Sequence, residues 1–494
     1  MDFFINAKAR SVKHLDADVT LLRYLRTEAC LPGTKEGCAS GDCGACTVLV
    51  AESGAPPRAV NACITPLGSV AGCGVLTVEG LAERGRLHPA QQAMVDHHGS
   101  QCGFCTPGFV MSLAGLYQRQ LDLGNAPATR AAVTDAIAGN LCRCTGYRPI
   151  LDAGLSMHEH PPRALEVFPP SPSASPSNHN RALVGPPDTA PLFASERSRY
   201  FQPRSERTLQ ELMRALPGAR LVAGGTDLML EASQGFRQFE TLIDLSRVAG
   251  LSAVREADGM LEIGACASYS ALLAHPALAS PALRAVLHRF GSQQIRNRAG
   301  LGGNLANGSP IADMPPILLC WEASVELVNA AAERRHLPIE DFHLDYRKTA
   351  LREDEYIRCV RVPLRALARP HRFTKLSKRF EDDISSVMMA VALDHEGDAV
   401  KFARIAYGGM AATPARSPAA EAALRERGLN DAGIQAACDA VAEQFQPLSD
   451  VRASADYRRA MAAALLDIAL REIRGEGSAC VWSAEDAEAV ADNG

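Results

Sequence analysis

Three cysteines near the start of the chain are close enough together to bind one metal cluster. Cys38, Cys43 and Cys46 follow the pattern C-x4-C-x2-C, and Cys63 comes later in a separate segment. A [2Fe–2S] cluster needs four thiolates that converge on two bridged irons, and this spacing is one of its known binding patterns. A tight loop can supply three of the thiolates while a distant segment supplies the fourth. The sequence therefore predicts a [2Fe–2S] site in this region.

Small residues fill the loop around these cysteines: Gly37, Ala39, Ser40, Gly41, Gly44 and Ala45. Such a loop turns its backbone N–H groups toward the inorganic sulfides, which requires unusual φ angles and no bulky side chains. A zinc site is the alternative, but zinc sites usually use paired C-x2-C units. Cys30 and Cys73 are expected to lie outside the site, although Cys73 is close enough in sequence to Cys63 to rival it as the fourth ligand.

A second set of cysteines consists of two close pairs: Cys102, Cys105, Cys142 and Cys144. Pro107 lies early in the helical pattern that follows the first pair, and Thr129 is a candidate N-cap of the helical pattern before the second pair. Two helix ends brought together would present four thiolates. Taken alone, this set is compatible with an iron–sulfur cluster, a zinc ion or a redox dithiol.

The composition limits the class of protein. The chain has 494 residues, of which 47% are hydrophobic and 22% charged, as in ordinary globular proteins with several domains. A net charge of -5 without a long basic run gives no support to nucleic-acid binding. We find neither an apolar run of transmembrane length nor a signal-peptide pattern. A cytoplasmic location is therefore expected. Most of the 15 cysteines are clustered, and in such a reducing compartment clustering indicates metal binding.

Secondary-structure patterns place the first cysteine loop between short elements. Residues 3–8 and 47–52 have the pattern of strands, and residues 20–29 have the pattern of a helix just before the loop. This arrangement predicts a small β-grasp domain of the plant-type ferredoxin kind.

Two glycine-rich stretches follow a Pro- and Ser-rich segment at residues 161–194, which is expected to be a linker, either disordered or strapped across a neighbouring domain. Residues 219–233, ARLVAGGTDLMLEAS, predict a strand, a tight turn and a helix, without the GxGxxG fingerprint. Residues 295–319 combine four glycines with polar side chains. Such stretches can bind a diphosphate and sugar hydroxyls, although a plain strand-to-helix turn would look much like the first one.

The cysteine motifs resemble those of the molybdenum hydroxylases, a family that includes xanthine dehydrogenase, aldehyde oxidase and carbon monoxide dehydrogenase. EGCASGDCGACTV and NACITPL are similar to the family's first [2Fe–2S] domain, and QCGFCTPGFVMS and GNLCRCTGYRPI to its second, four-helix [2Fe–2S] domain. The resemblance implies two [2Fe–2S] clusters with these metal ligands: Cys38, Cys43, Cys46 and Cys63 for one, and Cys102, Cys105, Cys142 and Cys144 for the other. In the family, the segment that corresponds to Gln101 faces the molybdenum cofactor.

Both glycine stretches resemble the FAD-binding domain of the same family, an α/β domain of the vanillyl-alcohol-oxidase-like type. The resemblance implies these cofactor-binding residues: Val222, Ala223, Gly224, Gly225, Thr226, Asp227, Leu228, Phe290, Gly302, Gly303, Asn304, Ser309, Asp313, Lys378 and Asp382. Phe290 falls where the family has an aromatic side chain beside the isoalloxazine, and an ordinary core Phe is the alternative. Lys378, Glu381 and Asp382 would lie near the flavin or the nicotinamide entry, although such a charge run is also typical of a solvated face.

The predicted fold class is multidomain α+β. The domains are expected in this order: a plant-type [2Fe–2S] ferredoxin domain at 1–82, a helical [2Fe–2S] domain at 83–160, the linker at 161–194, the FAD-binding domain at 195–370 and an α+β C-terminal cap at 371–486. Residues 483–494 are expected to be a frayed tail.

The family's molybdenum-cofactor module is large, and the chain ends at Gly494 without room for it. A chain that fuses the iron–sulfur and flavin regions is typical of bacterial split xanthine dehydrogenases. The resemblance thus implies the iron–sulfur/FAD subunit of such an enzyme, with a large molybdenum-cofactor subunit as its partner in an (αβ)2 heterotetramer. Electrons from hypoxanthine or xanthine would pass through both clusters to FAD and on to NAD+. No residue of this chain would be catalytic in the purine step.

Other functions stay open at this stage. The substrate pocket would lie on the partner, so aldehydes, N-heterocycles and aromatic thioesters are alternative substrates, and dioxygen is an alternative acceptor. A stand-alone iron–sulfur flavoprotein reductase would have no large partner. A non-enzymatic protein with two zinc knots would lack the absorbance of [2Fe–2S] clusters.

Overall fold

The computed structural model describes residues 1–169 and 188–477. The predicted linker therefore falls partly, and the predicted tail wholly, outside the described residues. The chain divides into two compact units. Among the described residues, the first contains residues 1–249 and Gly291–Ala299, and the second contains Gly250–Phe290 and residues 300–477. None of the helices in the described part of the chain has both the length and the apolar character needed to span a membrane.

The first unit begins with a five-stranded mixed sheet and one helix. Its elements are β1 (Asp2–Ile5), β2 (Lys8–Ser11), α1 (Leu21–Thr27), β3 (Thr47–Ala51), β4 (Arg58–Asn61) and β5 (Gly74–Leu76). The strand order is β2-β1-β5-β3-β4, and β1 and β5 form the only parallel pair of this sheet. The hydroxyl of Thr20 caps α1 by accepting from the backbone N–H of Arg23, and the apolar face of α1 is buried. The predicted helix at 20–29 and strand at 47–52 are confirmed as α1 and β3. The predicted strand at 3–8 is wrong in its extent, because the chain turns at Asn6 and Ala7, which have positive φ angles, and continues as β2.

Four helices follow in the first unit: α2 (Pro89–Asp96), α3 (Thr106–Asp122), α4 (Arg130–Ile137) and α5 (Arg148–Ser156). Pro107 lies in the first turn of α3, where its missing N–H costs no hydrogen bond. Thr129 caps α4 by accepting from the backbone N–H of Ala132, as predicted. Phe109, Leu113 and Val133 are fully buried in the core of these helices.

The rest of the first unit is a small α/β region. Its elements are β6 (Phe193–Ala194), β7 (Arg199–Phe201), α6 (Glu206–Ala215), β8 (Arg220–Val222), α7 (Leu228–Ser233) and β9 (Thr241–Asp244). The strand order is β6-β7-β9-β8, and β9 is parallel to both of its neighbours. The first glycine stretch connects β8 to α7. It therefore lies at the carboxyl end of a parallel strand, where α/β sheets commonly bind ligands.

The second unit is built on a five-stranded antiparallel sheet. Along the chain it is interrupted by the segment Gly291–Ala299, which belongs to the first unit. In chain order the elements are β10 (Val254–Ala257), β11 (Met260–Gly264), α8 (Tyr269–Ala274), α9 (Pro281–His288), α10 (Gln293–Arg296, in the departing segment), α11 (Leu301–Ala306), α12 (Met314–Cys320), β12 (Ser324–Asn329), β13 (Arg334–Pro338), β14 (His343–Asp345), β15 (Lys348–Thr349), β16 (Glu355–Pro363) and α13 (Leu364–Leu367). The sheet order is β10-β11-β16-β12-β13, and β14 and β15 form a separate hairpin.

The second unit ends with a four-stranded antiparallel sheet and three helices. The elements are β17 (His371–Leu376), β18 (Val387–Glu396), β19 (Ala399–Gly408), β20 (Ala415–Arg416), α14 (Pro418–Arg427), α15 (Asp431–Gln444) and α16 (Ala455–Arg474). Residues such as Val391, Leu424 and Leu466 are fully buried where the helices cover the sheet. The arrangement confirms the multidomain α+β fold class.

Candidate cofactor sites

The first cysteine set converges in the first unit. Sγ of Cys46 lies 3.3 Å from Sγ of Cys63, and both residues are buried. The Cys38 sulfur is within hydrogen-bonding reach of Cys43 and Cys63, and these contacts lower the pKa of Cys38. Contacts with Cys38 and Cys46 in turn raise the pKa of Cys63. All four thiols therefore lie close together, as the ligands of one cluster must.

Backbone conformation explains the small residues of this loop. Gly41 and Gly44 have φ angles of 83° and 65°, a region that favours glycine. A Cβ on Gly37 would lie 2.8 Å from the Cys43 sulfur. The backbone N–H groups of Ser40 and Cys43 both point at Sγ of Cys38, at 3.3 Å. The loop thus exposes N–H donors to sulfur, which is the feature that stabilises a cluster and tunes its potential.

The second cysteine set also converges as pairs. Cys105 lies at the N-cap of α3 and interacts with Cys142, while Cys102 interacts with Cys144. Burial and the neighbouring Cys142 raise the pKa of Cys105 to about 12. Thr145 holds Cys142 from the other side, because its backbone N–H and hydroxyl lie 3.4 and 3.2 Å from the Cys142 sulfur.

Each cysteine set supplies the number of ligands that a [2Fe–2S] cluster needs. Such a cluster takes four cysteine thiolates, two on each of its irons. Contacts between the thiols run through both sets, so each set fits a [2Fe–2S] cluster.

The first glycine stretch needs its glycines for packing within the protein. A Cβ on Gly224 would lie 2.0 Å from the backbone O of Arg298. Gly225 has a φ of 79°, and a Cβ there would lie 2.8 Å from Cδ of Pro66. These close approaches bring the turn after β8 against the segment that follows Cys63. The other predicted residues of this stretch lie at the end of β8, in the turn and at the start of α7: Val222, Ala223, Thr226, Asp227 and Leu228.

Hydrogen bonds at the end of α7 join the predicted flavin loop to the first cysteine loop. The Ser233 hydroxyl donates to the backbone O of Ala39 at 2.7 Å. Nε2 of Gln234 donates to the backbone O of Cys38 at 3.1 Å. These contacts are not predictable from the sequence, because both side chains are common on helix ends and their partners lie far away in the chain.

The second glycine stretch forms α11 and the turn after it, in the second unit. Gly302 packs tightly, since a Cβ there would lie 2.5 Å from Cβ of Ala265, whereas a Cβ on Gly303 would meet no atom within 4 Å. Oδ1 of the neighbouring Asn304 is buried without a hydrogen-bond partner among the described residues. An open glycine next to an unpartnered acceptor oxygen fits a bound sugar, whose hydroxyl groups can donate to it. Ser309, also predicted to bind FAD, accepts a weak hydrogen bond from the backbone N–H of Ile311.

Asp313 has protein partners on both of its oxygens. Lys375 donates to Oδ2 at 2.7 Å and Ser385 donates to Oδ1 at 2.5 Å, and all three residues are buried. The sequence had suggested a bond from Asp313 to a sugar hydroxyl, which stays a prediction. In the structure its carboxylate joins α12 to β17 and to the start of β18.

Three residues of the second unit that were predicted to lie near the flavin have different neighbours from one another: Phe290, Lys378 and Asp382. Phe290 is half-buried, and its ring centroid lies 4.0 Å from that of Tyr269. The ammonium of Lys378 donates to the backbone O of Val451 at 2.7 Å. Asp382 lies in the same loop with a φ of 47°. Arg289, which sequence reasoning missed, fastens this loop by donating to the backbone O of Phe380 and stacking over its ring.

Three family models match the chain. The [2Fe-2S] binding domain matches residues 77–155, the FAD binding domain in molybdopterin dehydrogenase matches residues 195–365, and the CO dehydrogenase flavoprotein C-terminal domain matches residues 372–473. These matches show that the chain binds [2Fe–2S] and FAD.

Similar proteins of known identity include xanthine dehydrogenases and a carbon monoxide dehydrogenase. Xanthine dehydrogenase of Oryza sativa subsp. japonica is 32% identical over 85% of this chain, and that of Drosophila subobscura is 32% identical over 94% of it. The chain spans only 36% and 38% of the length of these two relatives. A structure of carbon monoxide dehydrogenase from Hydrogenophaga pseudoflava is 32% identical to this chain, with a TM-score of 0.52. The match covers 55% of this chain and 95% of the chain in that structure.

The fit of the cysteine sets, the open second glycine stretch and the matches to three successive domains agree with one another. The chain belongs to the molybdenum hydroxylase family, of which it forms the iron–sulfur and flavin portion.

Proposed function

We propose that the chain is the iron–sulfur/FAD subunit of a xanthine dehydrogenase, which delivers electrons from a partner-bound molybdenum cofactor to NAD+. One observation carries this choice of substrate. The similarity to xanthine dehydrogenases runs through the iron–sulfur and the flavin regions of the chain, up to 94% of it, whereas the carbon monoxide dehydrogenase structure matches 55%. A single chain with both regions in this order is the arrangement of the xanthine enzymes.

The residues that would hold the cofactors are those that the sequence motifs indicate. Each [2Fe–2S] cluster would be held by one cysteine set, and the flavin by the stretches around Gly225 and Gly303 together with Phe290. The roles of Lys378 and Asp382 near the flavin, and the domain limits predicted from the sequence, are part of the proposal. When bound, the clusters carry single electrons and the flavin exchanges a hydride with NAD+.

The chain's own residues position and insulate these groups. The N–H groups of Ser40 and Cys43 donate toward sulfur in the first loop. Thr145 does so for Cys142 in the second set. Ser233 and Gln234 fix the first cysteine loop to α7. None of these groups needs to exchange a proton with a purine.

A partner surface is consistent with the exposed apolar side chains around the second cysteine set. Phe104 is 48% exposed and Leu141 is 46% exposed, and each lies next to a cysteine of this set. Exposed apolar groups beside a redox centre are expected where another subunit docks. We place the enzyme in the cytoplasm, where clustered thiols remain reduced, and expect two copies of each subunit.

The test is turnover by the protein purified anaerobically from its own host with whatever accompanies it. We expect NADH to form when xanthine and NAD+ are added, and a large molybdenum-containing partner to be present. A partner without turnover on xanthine would transfer the proposal to another substrate of the family. Absence of any large partner would refute the split enzyme and favour a stand-alone reductase.

A further inference from the structure

A buried polar cluster joins the chain segments that carry the two cysteine sets. Its members are at most 2% exposed: Thr47, Ser112, Asn140 and Gln294. Thr47 directly follows Cys46, and Asn140 lies two residues before Cys142. Gln294 comes from α10, in the short segment that the flavin region contributes to the first unit. Buried polar groups are costly unless they bond to one another, so this cluster marks a place that the fold holds tightly.

The hydrogen-bond directions in this cluster make Gln294 the common donor. The Thr47 hydroxyl donates to the backbone O of Gly44 at 2.6 Å, and the Ser112 hydroxyl donates to Oδ1 of Asn140 at 2.7 Å. Both hydroxyls therefore offer only lone pairs to a further neighbour. Nε2 of Gln294 lies 3.3 Å from the Thr47 hydroxyl oxygen, 3.1 Å from the Ser112 hydroxyl oxygen and 3.1 Å from Oδ1 of Asn140. The amide nitrogen carries two N–H groups, so it can donate to two of these three acceptors at a time.

Asn140 also hydrogen-bonds to the loop that carries the first cysteine set. Its Nδ2 donates to the backbone O of Gly44 at 3.0 Å. The next residue, Leu141, donates its backbone N–H to the carbonyl of Cys43, also at 3.0 Å. A single hydrogen bond thus connects Cys43, of the first set, to the residue that precedes Cys142, of the second set.

The contact between these loops is too close for other residues. A Cβ on Gly44 would lie 2.2 Å from the backbone O of Gly139. A Cβ on Gly139 would in turn lie 2.5 Å from Oε1 of Gln294. The position of the Gln294 side chain therefore limits how the loop at Gly139 can lie against the loop at Gly44.

Other residues of the same segment anchor it in the first unit. Arg296 donates to Oδ1 of Asp135 on α4 at 2.6 Å. Asn297 donates to the backbone O of Ala59 on β4 at 2.9 Å. These bonds fix α10 to both cysteine-bearing regions, and so Gln294 has a rigid base.

We propose that Gln294 is a positioning residue that sets the separation and relative orientation of the two iron–sulfur clusters. The proposal rests on the assignment of a [2Fe–2S] cluster to each cysteine set. A glutamine from the flavin region thereby determines how well electrons pass between clusters that it does not touch.

The test uses Gln294→Met, which keeps the side-chain volume and removes the donor. Gln293→Met is the matched control, because Gln293 is adjacent on the same helix and, unlike Gln294, its side chain makes no hydrogen bond to Thr47, Ser112 or Asn140. Ser112→Ala is the milder second variant, which removes one acceptor of Gln294. The full chain is reduced with dithionite, and low-temperature electron paramagnetic resonance records both cluster signals and the magnetic splitting between them.

We expect Gln294→Met to retain both signals and to change their mutual splitting, with a smaller change in Ser112→Ala and none in Gln293→Met. Dipolar splitting falls with the cube of distance, so a small shift of one loop is visible. Two intact signals with wild-type splitting in Gln294→Met would overturn the inference. If Gln294→Met does not load its clusters, Ser112→Ala decides by the same criterion. Failure of the cluster assignment is distinguishable, because the wild-type chain would then lack the two signals.

Discussion

Cys63 and Cys73 are both buried cysteines of the first domain, but their neighbours give them different roles. The sulfur of Cys63 lies against Cys46, in the first cysteine set. The sulfur of Cys73 instead accepts from Nη2 of Arg247 at 3.2 Å. Burial raises the pKa of Cys73 to about 11, so it remains a thiol at neutral pH. Spacing favoured Cys63 as the ligand but could not exclude Cys73, since Arg247 is remote in the sequence.

This difference predicts the outcome of a matched pair of substitutions. Cys63→Ala removes a cluster ligand, and we expect it to lose the first cluster and about half of the bound iron. Cys73→Ala removes the same volume from an equally buried position and should keep all of the iron. Iron analysis and the resonance signals of the reduced protein measure both. Loss of a cluster in Cys73→Ala with retention in Cys63→Ala would reverse the assignment.

At the scale of single elements, the two glycine stretches differ in what their glycines do. Gly224 and Gly225 are required by backbone and side chains of the protein itself. Gly303, on α11, faces open space. Sequence reasoning could identify both stretches as candidate flavin loops, because their composition is similar. It could not separate glycines required for packing from glycines that face open space, since that depends on neighbours such as Ala265 and Arg298.

Gly303→Ala separates helix stability from flavin binding. Alanine within a helix is more favourable than glycine by about 0.5–1 kcal/mol, and no atom obstructs a methyl group here. We expect the flavin-free protein to melt at a slightly higher temperature while the affinity for FAD falls. Differential scanning calorimetry of the flavin-free chain and FAD titration measure the two effects. An unchanged FAD affinity would remove Gly303 from the flavin site.

The buried pair of Lys375 and Asp313 is a structural connection between α12 and β17. Its side chains are 2% and 6% exposed, and removing one partner leaves the other charge buried. We expect Lys375→Met to destabilise the protein by about 3–5 kcal/mol, measured by urea unfolding of the flavin-free chain. Arg379→Met breaks the exposed ion pair with Asp383 and should cost no more than about 1 kcal/mol. Equal losses of unfolding free energy in the two variants would show that the buried pair contributes no more to stability than the pair of Arg379 and Asp383.

At the scale of the whole molecule, the order of regions along the chain was predictable because each carries a local signature. The cysteine spacings, the capping residue Thr129 and the glycine stretches are all readable without neighbours. The division into two units was not, because Gly291–Ala299 leaves the surrounding flavin region to join the first unit. Nothing in its composition indicates that change, and its anchors Asp135 and Ala59 are distant in sequence.

The proposed partner surface can be tested with two exposed apolar residues of the helical region. Phe104→Lys places a charge beside Cys105, and we expect it to weaken binding of the molybdenum-containing partner roughly tenfold or more. Leu123→Lys, at the far end of α3 and 69% exposed, should bind as the wild type does. Co-purification from the host measures both. Equal recovery of the partner with the two variants would place the interface elsewhere.

The most direct test of the account is an anaerobic reductive titration of the purified chain with dithionite, followed by visible absorbance and electron paramagnetic resonance. With one flavin and two clusters bound, we expect the flavin to take up about two electrons and each cluster about one, with two distinct [2Fe–2S] signals. A single cluster signal, or zinc in place of iron in either cysteine set, would contradict it.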